Sequence, residues 1–172
     1  SEFIAVYGRR RVGKTFLIKQ TFNGRIAFQH TGVSPVDQED EKNRLKTQLE
    51  SFYYSLLNHG LEGYKKPKSW MEAFFQLEQL LIKLDDGSRQ VVFIDELPWM
   101  DTPRSGFLSA FENFANGWCS GRDNMMLIVC GSATSWILKN LSYNHGGLYG
   151  RLTCEMKLLP FTLKECEEYF AT

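Results

Sequence analysis

The chain has 172 residues, 43% of them hydrophobic, and its 20 basic and 20 acidic side chains leave a formal net charge of zero. That length fits one domain with a substantial core, and the balanced charge excludes a global field drawing the chain to nucleic acid or an anionic membrane. Cys119, Cys130, Cys154 and Cys166 show no CxxC spacing, and neither a membrane-spanning apolar segment nor a signal peptide is apparent, so a reduced, soluble, cytoplasmic protein is expected.

Residues 3–7 (FIAVY) form a short apolar run ended by Gly8, as expected of a strand buried on both faces. A helix is predicted over 13–22 and a second strand over RIAFQH (25–30). From Gln38 to Asn58, Leu45, Leu49, Phe52, Tyr53, Leu56 and Leu57 fall on helical spacing, and Gly60 can close that helix. Ser69 with Glu72 makes a capping box ahead of a helix over Trp70 to Leu84, which DDGS (85–88) interrupts. VVFI (91–94) reads as a strand, Phe107, Leu108, Phe111, Phe114, Ala115 and Trp118 as one helix face, and MMLIVC (125–130) as another buried strand. LTCEMKLL (152–159) is the last predicted strand, and Phe161, Thr162 and Glu165 supply a staple, an N-cap and a capping-box acid for a final helix.

Strands that alternate with helices and read as apolar runs indicate an α/β fold with a mostly parallel sheet and helices on both faces. Ligands of such sheets sit beyond the carboxyl ends of the strands. The polar residues cluster there: Gly8 to Thr15, Asp95 with Glu96, and Gly131 with Ser132.

GRRRVGKT (8–15) matches GxxxxGK[ST], a spacing that turns successive backbone N–H groups toward a phosphate and places a helix N-terminus behind it. Gly8, Arg9, Arg10, Arg11, Val12, Gly13, Lys14, Thr15 and Phe16 form this candidate cradle, with Lys14 for the β- and γ-phosphates and Thr15 for Mg²⁺. A basic surface turn is the plain alternative. VVFIDELPWM (91–100) brings Asp95 and Glu96 to a strand end, Asp95 for the coordination sphere of Mg²⁺ and Glu96 to orient and deprotonate water. A strand with an acidic turn explains the same residues in isolation. In VCGSATSWI (129–137) Ser132 is placed to touch the γ-phosphate or the water, although a Gly-Ser turn before a capped helix accounts for it equally well. HGGLYGRLT (145–153) ends a glycine-rich loop in Arg151, a candidate for transition-state charge or simply a solvated side chain. His30, His59 and His145 are scattered, without metal or triad spacing.

Together GRRRVGKTFLI, VVFIDELPWM, VCGSATSWI and LYGRLT resemble the prokaryotic "archaeal ATPase" family, a branch of the AAA-related and STAND-like P-loop ATPases. The resemblance covers nearly the whole chain. It implies a five-stranded sheet in the order 5-1-4-3-2, ATP with Mg²⁺, and roles for Lys14, Thr15, Asp95, Glu96, Ser132 and Arg151. The start at Ser1 and the end at Thr172 inside a helical pattern lead to the expectation of a piece of a larger protein, with an ATPase core over 1–160 and the beginning of a truncated lid helix over 161–172. Two functions compete: Mg²⁺-dependent ATP hydrolysis coupled to conformational change, and a nucleotide-gated interaction switch with little turnover. The remainder of the chain, another subunit or DNA would be its partners, DNA by family analogy alone. A GTPase would carry an NKxD-type motif, which the sequence lacks.

Overall fold

In the computed structural model, which describes residues 1–35, 43–143 and 147–170, the first apolar run lies in β1 (Glu2–Tyr7). It leads through the glycine-rich loop into α1 (Lys14–Thr21) and β2 (Ile26–Thr31). Two amphipathic helices come next, α2 (Arg44–Asn58) and α3 (Trp70–Lys83), and then the fully buried β3 (Gln90–Asp95). α4 (Phe107–Glu112), β4 (Met125–Gly131), the short α5 (Thr134–Ile137), β5 (Cys154–Lys157) and α6 (Leu163–Phe170) complete the chain.

The five strands form one parallel sheet in the order β2-β3-β4-β1-β5, the expected 5-1-4-3-2 arrangement. Residues alternate between its faces, so each apolar run fills two cores. On one face Phe3, Ala5, Phe28, Val92, Ile94, Leu127 and Val129 meet an aromatic layer from α2, α3 and α4. There Trp70 lies 5.0 Å from Phe107, and Phe74 stacks on Phe114 at 5.2 Å. On the other face Val6, Val91, Phe93, Ile128 and Cys130 pack on Ile18 of α1. The register sets Tyr7 beside Gly131 and Thr31 beside Asp95, so the carboxyl ends of four strands come level.

The helix ends show how local sequence fixes these elements. Ser69 Oγ accepts the Glu72 N–H at 3.2 Å, while the Glu72 carboxylate reaches past the cap to the Lys68 N–H at 2.7 Å. At the end of α2, Gly60 (φ 97°) donates to the Leu57 carbonyl and Leu61 to the Leu56 carbonyl, both at 3.0 Å, which is the Schellman pattern. Thr162 and Glu165 exchange the expected capping-box bonds at the start of α6.

Three expectations change, and part of another lies outside the described residues. Residues 38–42 of the helix predicted from Gln38 lie outside the described residues, as do His145, Ala171 and Thr172. The helix face over 107–118 is right, but α4 widens at Asn113–Cys119 into π-helical turns with a Ser120 N–H to Ala115 carbonyl bond. This widening accompanies a near-parallel stack of Phe114 on Trp118 at 5.7 Å. The last strand shrinks to four exposed residues because only β1 pairs with it. Phe161, expected as a staple, is 74% exposed.

Candidate active site

Where β1 ends, the chain turns sharply. Gly8 has φ 146°, and a Cβ there would lie 2.2 Å from the Leu158 carbonyl oxygen. Arg11 (φ 65°) and Gly13 (φ 90°) take left-handed conformations. The loop thereby curls around Lys14, whose Nζ donates to the carbonyls of Gly8 (3.0 Å) and Arg9 (2.9 Å). Lys14 is only 5% exposed, and among the described residues no carboxylate lies within ion-pair distance of it. The first turn of α1 has neither a side-chain cap nor an acidic residue. A buried ammonium and a bare helix N-terminus therefore face one open cavity of roughly 680 Å³, lined by Arg10, Arg11, Gly13, Lys14, Thr15, Phe16 and Glu96. Both features draw an anion from outside.

β3 delivers the acidic pair. Thr15 Oγ1 donates to Asp95 Oδ2 at 2.5 Å, and the Glu96 N–H donates to Asp95 Oδ1 at 3.0 Å. Burial pushes the Asp95 carboxyl above its ordinary value, partly opposed by the hydrogen bond from Thr15. Glu96 itself sits in the left-handed region (φ 47°). Its Oε2 accepts two bonds from the end of β4, from the Ser132 N–H (3.1 Å) and the Ser132 hydroxyl (2.9 Å). The turn after Glu96, Leu97–Met100, nests against β4 so closely that a Cβ on Gly131 would lie 2.8 Å from Pro98 Cδ.

The structure thus brings together Gly8 to Thr15, Asp95, Glu96 and Ser132. Arg9 and Val12 belong to the loop without lining the cavity, and Phe16 lines its rim, 68% exposed. Arg151 is placed elsewhere. The Thr153 N–H donates to the Phe3 carbonyl at 2.8 Å, so Arg151 lies near the amino end of β1, lining a smaller cavity with Glu2, Phe3 and Asn116. Ser132 meets the Glu96 carboxylate, where the sequence suggested a phosphate or water contact.

The sequence reading missed a supporting layer. Arg10 stacks over Trp99 with its guanidinium carbon 5.0 Å from the ring centroid. The Trp99 carbonyl accepts Gln48 Nε2 at 2.9 Å, and the same buried amide clamps Val33 N–H and carbonyl. Gln48 stands on the apolar stripe of α2, three residues after Leu45 and four before Phe52, and that placement was its signal.

Comparison with known proteins completes the assignment. The profile of an ATPase domain predominantly from Archaea matches residues 1–170. The chain belongs to this ATPase family. An uncharacterized protein of Methanocaldococcus jannaschii is 29% identical to the domain over 169 residues, 98% of this chain and 34% of that protein. The Walker-type ATPase of Pyrococcus abyssi shares the fold with a TM-score of 0.61 at 20% identity, covering 98% of this chain and 52% of its own. ORC2 of Aeropyrum pernix, solved in ADPNP-ADP complexes, gives 0.57 at 15% identity, with 99% and 45% covered. The ATPase domain thus spans about a third of its curated relative and about half of each of these structures. No helix among the described residues is long and apolar enough to cross a membrane.

Proposed function

We propose that the domain binds ATP with Mg²⁺ in the 680 Å³ cavity, hydrolyses it, and passes the nucleotide state to the rest of a longer protein. The observation that carries this reading is Lys14: an ammonium held almost out of water by two loop carbonyls, with no carboxylate within ion-pair distance among the described residues.

The donor set fits Mg²⁺. Thr15 lines the cavity and its Oγ1 meets Asp95 Oδ2 directly behind it, and Mg²⁺ favours one or two protein oxygens completed by phosphate and water. When bound, the metal draws charge from the phosphate oxygens. Lys14 and the N–H groups at the start of α1 bind the phosphates. Glu96 holds the attacking water and accepts its proton as the water oxygen bonds to the γ-phosphorus. The bond from that phosphorus to the β–γ bridging oxygen breaks, and its electrons leave with ADP. Ser132 sets the Glu96 carboxylate through its two hydrogen bonds. Arg151, at the opposite end of the sheet, belongs in this reading to the site of a neighbouring subunit. Residues 1–160 form the ATPase core, and 161–172 begin the connection to the remainder of the longer protein. That remainder, another subunit and DNA are the proposed partners.

Calorimetry and phosphate release test this reading. Lys14→Ala is expected to weaken Mg²⁺-ATP binding about 100-fold or more, and Glu96→Gln to bind ATP while losing turnover about 100-fold. Glu96→Gln hydrolysing at the parental rate would remove Glu96 as the base.

A second reading, a nucleotide-gated switch with slow turnover, is favoured by the same Ser132 clamp, which engages Oε2 of the carboxylate that must take the proton. Ser132→Ala decides between them: faster hydrolysis marks a restraint, slower hydrolysis a positioning group.

A further inference from the structure

We propose that Arg10 is a catalytic residue of this site, supplying from the phosphate loop itself the guanidinium that stabilises γ-phosphate charge in the transition state, with Trp99 as its positioning residue. The assignment rests on the ATP-hydrolysing function proposed for the domain.

Arg10 lines the same cavity as Lys14, Thr15 and Glu96. Its guanidinium lies over the Trp99 ring at 5.0 Å, and a stacked guanidinium keeps its N–H edge free for phosphate oxygens. Among the described residues no carboxylate pairs with it, so its charge is not already neutralised. Arg11 also lines the cavity, but among the described residues it has no aromatic platform.

The platform is itself fixed. The Trp99 N–H donates to the Glu96 carbonyl at 3.0 Å, so the base and the platform belong to one turn. Gln48 Nε2 donates to the Trp99 carbonyl at 2.9 Å and to the Val33 carbonyl at 2.8 Å, and Gln48 Oε1 accepts the Val33 N–H at 3.0 Å. Gly32 gives that turn its space: a Cβ there would come within 2.7 Å of the Glu96 carbonyl oxygen and 3.3 Å of Trp99 Cβ. A cation mounted this way beside the general base needs little reorganisation during reaction, which is the condition under which fixed charge lowers a barrier. Arg151 lies at the far end of the sheet and leaves this role open within the chain.

The test uses the full-length protein, with ADP and Mg²⁺-ATP binding by calorimetry beside steady-state phosphate release. For Arg10→Ala we expect ADP affinity within about threefold of the parent and kcat lower by about 10²–10³-fold. Arg10→Lys should not restore the rate, whereas millimolar guanidinium should partly rescue Arg10→Ala and not Lys14→Ala. Trp99→Phe, which keeps an aromatic face, should retain more of kcat than Trp99→Leu, which should lose about tenfold with nucleotide affinity unchanged. Parental kcat in Arg10→Ala, or loss of ADP binding as complete as in Lys14→Ala, overturns the assignment of Arg10 alone. A parent that binds no ATP, or binds it without turnover, overturns the underlying reading and this one with it.

Discussion

At Gly8 a methyl group has nowhere to go, since the Leu158 carbonyl oxygen would stand 2.2 Å from it. Gly8→Ala must therefore displace either the loop or the start of the chain after β5, and we expect about 2–4 kcal/mol lower stability in urea unfolding together with lost nucleotide binding. His30 offers a prediction in pH. It is buried against Phe52, its Nδ1 lies 2.9 Å from Ser55 Oγ, and among the described residues its Nε2 has no hydrogen-bond partner. Burial holds its pKa down at about 3 against an ordinary 6.5. Above pH 6.5 the ring is neutral whether the chain is folded or not. As pH falls below that, the unfolded chain takes up a proton that the folded one refuses, and stability drains away until the folded value is reached. Between pH 7 and 5 the parent should lose about 2 kcal/mol more than His30→Leu in parallel denaturation curves. Equal slopes would mean that the ring is not shielded as the structure shows.

At the level of elements, the end of α2 depends on Gly60, whose left-handed φ of 97° closes the Schellman pattern. Gly60→Ala should cost about 1–2 kcal/mol in chemical denaturation while leaving nucleotide binding intact, because the site is held by other parts of α2. Strands and helices were legible in the sequence because FIAVY, VVFI and MMLIVC are uninterrupted apolar runs and the caps at Ser69 and Thr162 carry their own chemistry. The turn of the glycine-rich loop was legible for the same reason, its conformation being set largely by its own glycines. The Arg10–Trp99 stack and the Gln48 clamp were not, since they join residues 89 and 51 positions apart and no local rule connects them. Which end of the sheet Arg151 occupies was not read from its motif. Its glycine-rich motif suggested a phosphate contact, yet a residue just before a parallel strand lies at the amino end of the sheet, and the loop after β1 lies at the carboxyl end.

For the molecule as a whole, nucleotide binding and folding are one equilibrium. A ligand held only by the folded domain, at 100 times its dissociation constant, adds about 2.7 kcal/mol. Mg²⁺-ATP should therefore raise the melting temperature of the parent by several degrees and leave Lys14→Ala unmoved, readable by scanning calorimetry. Failure of the parent to shift would count against the cavity as a nucleotide site. The order of the strands also has a temporal meaning. β1 neighbours only β4 and β5 in the sheet, so it has no sheet partner until β4 has been synthesised. At about 5–20 residues per second, roughly 6 to 24 s separate Tyr7 from Met125 on a ribosome. Throughout that interval the glycine-rich loop hangs on an unpaired strand, and a nascent chain that stops short of Met125 holds the whole nucleotide motif yet has no pocket in which to use it.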